Sequence, residues 1–283
     1  MVIIELNEKN LPRLAPRARD CHKGQLGHAL ILAGGEGMGG AGLLASQACL
    51  RLGAGLVTLA THPQHVAASL ARQPEVMVRG VRSSADLPQA TVLLLGPGLG
   101  QSRAAQSLLQ QAAQPDVPQV WDADALNLLA ANPVHWPEVA QRILTPHPGE
   151  AARLLGCTAA DIQQDRERAA RELASRYASV VVLKGYPSLI AEPSGRLSVC
   201  GHGHPVMAGP GFGDVLGGVV AALLAQGMQL ADAACLAVWL HARAGEQLAT
   251  EGRGVVAGDL IAPMRTLLEG LSPVFPVARD GLI

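Results

Sequence analysis

Six short apolar runs recur along the chain, and each ends in glycine, proline or a polar residue. They are "HALILAG", "GLVTLAT", "TVLLLGPG", "QVWDAD", "RILTPH" and "SVVVLKG". Short runs that are apolar almost throughout, instead of at alternate positions, read as strands buried on both faces, the situation in a parallel sheet. The stretches between them supply the covering helices: "GAGLLASQACLRLG" after the first run, "DRERAARELASRYA" before the last, and "ADAACLAVWLHARAGEQLA" near the end. The pattern predicts an α/β fold, a central mostly parallel sheet with helices on both faces. A pair of runs, "SLIAE" and "RLSVC", flanks the turn signal "PSG" and predicts a hairpin before the last glycine-rich loop.

No repeat, low-complexity tract or charged linker divides the chain, so residues 1–283 are expected to form one domain. Residues 1–21, rich in Pro and Arg, are expected to lie over its surface before the first strand. At 49% hydrophobic residues the chain can bury a sizeable core. A formal net charge of -1 and 2% aromatic residues provide no footprint for nucleic acid or an anionic bilayer. The longest apolar run, residues 215–225, is too short to span a membrane, and the amino terminus has no basic segment leading into a long apolar one. Five scattered cysteines without CxxC spacing suit a reducing compartment better than a disulfide framework or a zinc site. Together these features predict a soluble cytoplasmic protein.

Ligands of open parallel sheets bind beyond the carboxyl ends of the strands. There the sequence places "GGEGMGGAG", "GPGLG", "DADALN", "TPHPGE", "KGYPS" and "AGPGFGD". In the last of these, glycines let backbone amides turn toward a ligand, and the helix that follows adds its own unpaired N–H groups. Gly211, Gly213 and the amides around Asp214 are the expected anion hole. Asp214 either takes a proton from a substrate hydroxyl or caps the helix. Lys184, directly after a buried strand, either neutralises phosphate or snorkels to the surface. His147, held between two prolines, reads by itself as a structural histidine. His202 and His204 form an HxH without a third partner at ligand spacing, so no protein metal site is expected. Asp122 and Asp124 fall on one side of an extended segment and can orient a magnesium-bound water or a ribose-like hydroxyl, although Asp124 can equally cap the next helix. "GGEGMGG" lacks the register of a dinucleotide fingerprint, and no Walker lysine is present.

The blocks "HKGQLGHALILAGG", "GAGLVTLAT", "LLLGPGLG", "WDADALN", "LTPHPGE", "VVLKG", "GFGDVLGGVVAALLAQG" and "LHARAGE", in that order, resemble the ADP/ATP-dependent NAD(P)H-hydrate dehydratase family, the carboxyl-terminal half of many YjeF-type repair proteins. The resemblance runs from His22 to beyond Asp259. It implies a ribokinase-like fold, a homotetramer, and nucleotide-driven dehydration of hydrated NADH or NADPH, with ADP or ATP as phosphoryl donor and Mg²⁺ as helper. It also implies an epimerase as partner or fused domain. Carried over by position, Asp214 is the base that deprotonates the hydrate. Lys184, Gly185, Tyr186, Pro187 and Ser188 contact the nucleotide together with Gly211 and Gly213. Ala41, Gly98, His147 and Asp214 contact the hydrated cofactor.

Departures are concentrated in one loop. Where the family reads close to GNPGMATGGSGD, this chain has "GHPVMAGPGFGD", with His204, Val206, Pro210 and Phe212 as the changed positions. Proline removes an amide donor, and phenylalanine adds bulk near the expected phosphate, so Phe212→Ser is expected to improve nucleotide binding. A small-molecule kinase of the same superfamily and a noncatalytic nucleotide or cofactor sensor are compatible with the same glycine-Asp loop.

Overall fold

The six apolar runs become six neighbouring or near-neighbouring strands of one sheet. The computed structural model describes residues 3–83, 87–113, 116–132, 136 and 141–275. Among them the strands are β1 (Ile3–Glu5), β2 (His28–Leu32), β3 (Leu56–Thr61), β4 (Met77–Gly80), β5 (Val92–Leu95), β6 (Gln119–Trp121), β7 (Arg142–Leu144), β8 (Val180–Leu183), β9 (Ser188–Ala191) and β10 (Leu197–Cys200). Their spatial order is β1-β10-β9-β8-β7-β6-β5-β2-β3-β4. β9 runs antiparallel to β8 and β10, the expected hairpin, and the remaining described pairs are parallel.

The helices are α1 (Gly39–Arg51), α2 (Val66–Arg72), α3 (Arg103–Ala112), α4 (Asp124–Ala131), α5 (Pro148–Leu155), α6 (Ala159–Gln164), α7 (Arg166–Arg176), α8 (Phe212–Ala225), α9 (Leu230–Ala249) and α10 (Ile261–Leu271). They form two layers, because successive strand residues point to opposite faces. Ala29 and Ile31 of β2 join the core under α1, α8, α9 and α10, while Leu30 and Leu32 join the core under α3, α4, α5 and α7. No helix among the described residues is long and apolar enough to cross a membrane.

The amino-terminal segment differs from its expected place. Ile3–Glu5 is itself a strand, paired in parallel with β10 at the sheet edge, and Leu6 and Leu11 are buried behind it. The "HALIL" run is therefore the second strand.

α8 is buried over nearly its whole length, which requires close helix approach. A Cβ on Gly218 would stand 2.2 Å from the Ala45 carbonyl oxygen of α1, so the two backbones meet there only because this residue is glycine.

The chain proceeds from β2 outward through β3 and β4, then returns to β5 on the other side of β2. At that switch the two loops bind each other: Gly34 N–H donates to the Pro97 carbonyl (2.9 Å) and Gly35 N–H to that of Gly98 (2.7 Å). The crevice of such a sheet opens at this end.

Candidate active site

Three adjacent strands, β6, β7 and β8, deliver one polar residue each to the same point. Asp122 follows β6, Thr145 follows β7 and Lys184 follows β8. Lys184 Nζ donates to Asp122 Oδ1 at 2.7 Å and lies 3.7 Å from Glu150 Oε2 on α5. The Thr145 hydroxyl donates to the same Asp122 oxygen at 2.7 Å. Asp122 and Glu150 are 1% and 5% exposed, so two carboxylates are buried around one ammonium. Burial acts against the Lys184 charge, but Asp122 and Glu150 outweigh it and hold the lysine pKa above its ordinary value.

The amino terminus of α8 closes the site from the other side. Gly211, at φ 87°, turns the chain into the helix, and Asp214 falls in its first turn. Gly213 packs so close to the lysine that a Cβ there would stand 3.3 Å from Lys184 Nζ and 3.7 Å from Asp122 Oδ2. Asp214 caps nothing: among the described residues its carboxylate accepts no hydrogen bond, and the helix start is made by Gly211 instead. Burial first, then the charges of Asp122 and Glu150, push its pKa up to about 7, with Lys184 opposing them. Beside it, burial pushes His241 of α9 down to about 4, and its Nε2–H donates to the Phe212 carbonyl at 2.9 Å. The site thus holds a fixed cation, a neutral imidazole and a carboxyl group that ionises near neutrality, next to a helix amino terminus. That set can take a proton from a hydroxyl and stabilise an anion close by.

A cavity of about 620 Å³ opens beside these groups, lined by Lys184, Gly185, Tyr186, Ser188, Met207, Gly213 and His241 among others. It therefore joins the "KGYPS" loop to the start of α8. Pro187 is not among the lining residues, its carbonyl instead accepting from Arg166 at 2.9 Å, and the Ser188 hydroxyl donates to the Gly185 carbonyl at 2.8 Å. Glu246 of α9 ties down the loop that forms the far wall, accepting from Gly203 N–H (3.0 Å) and meeting His202 Nδ1 (3.2 Å).

Ala41 and Gly98 also meet. A Cβ on Gly98, whose φ is 56°, would stand 3.0 Å from the Ala41 Cβ. One turn further along α1, Leu44 reaches Gly211, where an added Cβ would come within 2.6 Å of Leu44 Cδ1. The β2–β5 switch and the start of α8 are thereby connected along α1.

His147 caps α5: its Nδ1 accepts from Gly149 N–H at 2.9 Å, while its own N–H donates to Glu150 Oε2 at 2.7 Å. The ring is half exposed.

Other expectations change. Asp122 and Asp124 do not share a face, because Ala123 takes φ 50° and breaks the extended register between them. Asp122 turns inward to Lys184, whereas Asp124 accepts from Gly100 N–H (2.8 Å) and Gln101 (3.0 Å) and so braces the β5 loop instead of capping α4. His204 Nδ1 accepts from Val206 N–H, a local turn bond. The Phe212 ring is buried, 6.4 Å from the His241 ring in an edge-on contact. Thr145, Glu150 and His241 were not singled out by the sequence. Glu150 alone left a signal, standing three residues after His147 at the spacing of a capping box.

Residues 29–264 match the carbohydrate-kinase-type model described as NAD(P)H-hydrate dehydratase. The chain is 46% identical over 266 residues to a bifunctional NAD(P)H-hydrate repair enzyme of Coxiella burnetii, covering 91% of this chain and 53% of that protein. It is 40% identical over 257 residues to the ADP-dependent (S)-NAD(P)H-hydrate dehydratase of Neisseria meningitidis, covering 87% and 86%. A Bacillus subtilis ADP/ATP-dependent NAD(P)H-hydrate dehydratase, co-crystallised with ATP/Mg²⁺, superposes with TM-score 0.87 at 29% identity over 96% of this chain and 99% of that one. The architecture is the ribokinase-like one. The chain spans about half the length of the first bifunctional relatives it matches.

Proposed function

The chain belongs to the NAD(P)H-hydrate dehydratase family, and we propose that it returns hydrated NADH or NADPH to the reduced cofactor by nucleotide-driven dehydration, with ADP as phosphoryl donor. One observation carries the reading: Asp214, ionising near pH 7, stands at the amino terminus of α8, beside Lys184 and the cavity.

Hydroxide is a poor leaving group, and phosphate is a good one. In its ionised form Asp214 takes the proton of the hydrate hydroxyl, whose oxygen attacks the terminal phosphorus of the nucleotide and releases AMP from ADP. The ring nitrogen then pushes out phosphate, and loss of a proton from the neighbouring carbon restores the dihydropyridine. Lys184 and the first-turn amides of α8 face the charge that accumulates on the transferring group. The nucleotide occupies the cavity against residues 184–188 and Gly213, and the hydrated ring approaches from the side of Ala41, Gly98 and His147.

Among the described residues no group of three or more His, Cys, Asp or Glu side chains is placed to hold a metal ion. Mg²⁺ would be carried by the phosphate oxygens of the nucleotide, where it would neutralise phosphate charge. A homotetramer in the cytoplasm, working with an epimerase on the same or another chain, completes the proposal; the half-length match to bifunctional relatives supports the latter part.

The test mixes protein, NADPH hydrate and Mg²⁺ with ADP or ATP and follows the return of dihydronicotinamide absorbance. Recovery that requires one nucleotide establishes the reaction and its donor. Nucleotide binding without recovery would instead favour a kinase acting on another alcohol, or a sensor.

A further inference from the structure

The "KGYPS" loop is held from behind by a residue outside every block that carries the family resemblance. Arg166 opens α7 and reaches the loop with its guanidinium: Nη2 donates to the carbonyls of Pro187 (2.9 Å), Lys184 (3.2 Å) and Leu183 (3.3 Å). Nη1 donates to Gln163 Oε1 at 2.8 Å, and Nε is buried without a partner. No carboxylate among the described residues lies within 4.0 Å of this cation. A partly buried cation held chiefly by backbone carbonyls does little as an ion pair, so its effect falls on the loop that owns those carbonyls.

The consequence follows from peptide geometry. In a trans peptide the C=O and N–H point in opposite directions. The bonds joining Leu183 to Lys184 and Lys184 to Gly185 are trans. Drawing both carbonyls toward Arg166 therefore turns the Lys184 and Gly185 N–H groups away from it. The first meets the Pro146 carbonyl at 2.8 Å. Gly185 N–H has no partner among the described residues, and Gly185 lines the cavity. Gly185 has φ 139°, and a Cβ there would stand 2.8 Å from Arg166 Nη2. Glycine and arginine are thus fitted to each other: a side chain at 185 would meet both backbone strain and the guanidinium.

The geometry points to Arg166 as the positioning residue of the nucleotide loop, which aims the Gly185 N–H into the cavity as a hydrogen-bond donor to a phosphate or ribose oxygen. Only the identity of the ligand rests on the proposed function; the hold on the loop does not.

Two measurements on Arg166→Met, Arg166→Lys and Arg176→Met separate these. Arg176 lies on the same helix and also donates to carbonyls, those of Leu154 and Leu155, away from the cavity. In ligand-free protein, amide hydrogen exchange over residues 184–188 should quicken in Arg166→Met, less so in Arg166→Lys, and stay as wild type in Arg176→Met. In calorimetric titration with ADP, Arg166→Met should bind about tenfold more weakly, the scale of one lost hydrogen bond to a charged group, with Arg166→Lys recovering part of the loss and the hydrate KM unchanged. Unchanged loop exchange in Arg166→Met overturns the inference, as does ADP binding within twofold of wild type. Wild-type protein that binds no nucleotide would sink the functional reading, while the exchange experiment would still decide whether Arg166 holds the loop.

Discussion

The Lys184 ammonium lies 2.7 Å from Asp122 Oδ1 inside the sheet end, with Glu150 as its second carboxylate at 3.7 Å. The lysine is therefore already committed to neighbouring carboxylates, and cannot neutralise Asp214 alone. Burial first, and then the charges of Asp122 and Glu150, therefore keep the proton on Asp214 up to about pH 7, although it lies in the first turn of a helix whose amino terminus favours its charge. Two buried carboxylates keep the lysine charged, and they add to burial in raising the pKa of the third.

Turnover should accordingly rise with pH through about 7, as Asp214 loses its proton. Asp214→Asn should lower turnover by about 10² to 10⁴, the usual range for a lost general base, and remove this limb of the pH profile. His241, held neutral down to about pH 4, adds no limb between pH 5 and 8. A variant with wild-type turnover and profile would remove Asp214 from the chemistry.

The same shift makes a stability prediction of definite sign. The Asp214 pKa is raised on folding from 3.8 to about 7, so between those values the folded chain binds more protons than the unfolded one, and stability falls as pH rises. Asn carries no charge. Asp214→Asn should therefore gain little stability near pH 4, gain progressively up to pH 7, and hold a constant gain above, of roughly 2 kcal/mol after allowance for partial exposure. Thermal melts of the two proteins from pH 4 to 8 measure it, and a pH-independent difference would show that Asp214 titrates normally.

Strands inside runs that are apolar almost throughout were legible, down to the three residues of β6 and β7, and so was the "SLIAE" to "RLSVC" hairpin, because burial on both faces produces such runs. β1 reads "IIE" and β4 reads "MVRG", each at an edge of the sheet with most of its residues exposed, so neither shows a buried-strand pattern above its surroundings. The site was legible where a residue directly ends a strand or opens a helix, as Lys184 and Asp214 do. It was not legible where it depends on sheet order: Asp122, Thr145 and Lys184 converge because β6, β7 and β8 are neighbours, which no local spacing encodes. The left-handed turn at Ala123 defeated the period-two argument for Asp122 and Asp124, since a non-glycine residue at positive φ gives no sequence warning.

Lys184→Met should leave Asp122 and Glu150 buried without their cation. Breaking one side of a buried pair costs about 3 kcal/mol or more, because the remaining charge is uncompensated, so the melting temperature should fall. Adding Asp122→Asn should restore part of the loss by removing that charge. Without the lysine, which opposes the other influences on Asp214, the Asp214 pKa should rise further and move the rising limb of any residual activity to higher pH. An unshifted limb would place the ionisation elsewhere.

Phe212, which lines the cavity, is the departure for which the structure leads to the opposite prediction. From sequence alone its ring obstructs a phosphate, and Phe212→Ser improves nucleotide binding. Yet the ring is 6% exposed, packed among the residues under α8 and edge-on to His241, while its carbonyl accepts the His241 Nε2–H. Serine would leave a void and place a hydroxyl among apolar groups, at a cost of about 3 kcal/mol or more. It would also loosen His241, which stands against the cavity wall. Phe212→Ser should therefore melt well below wild type and bind ADP no more tightly, whereas a leucine at this position, retaining much of the volume, should lose far less stability. Tighter ADP binding by the serine variant at an unchanged melting temperature would show that the ring lies over the phosphate after all.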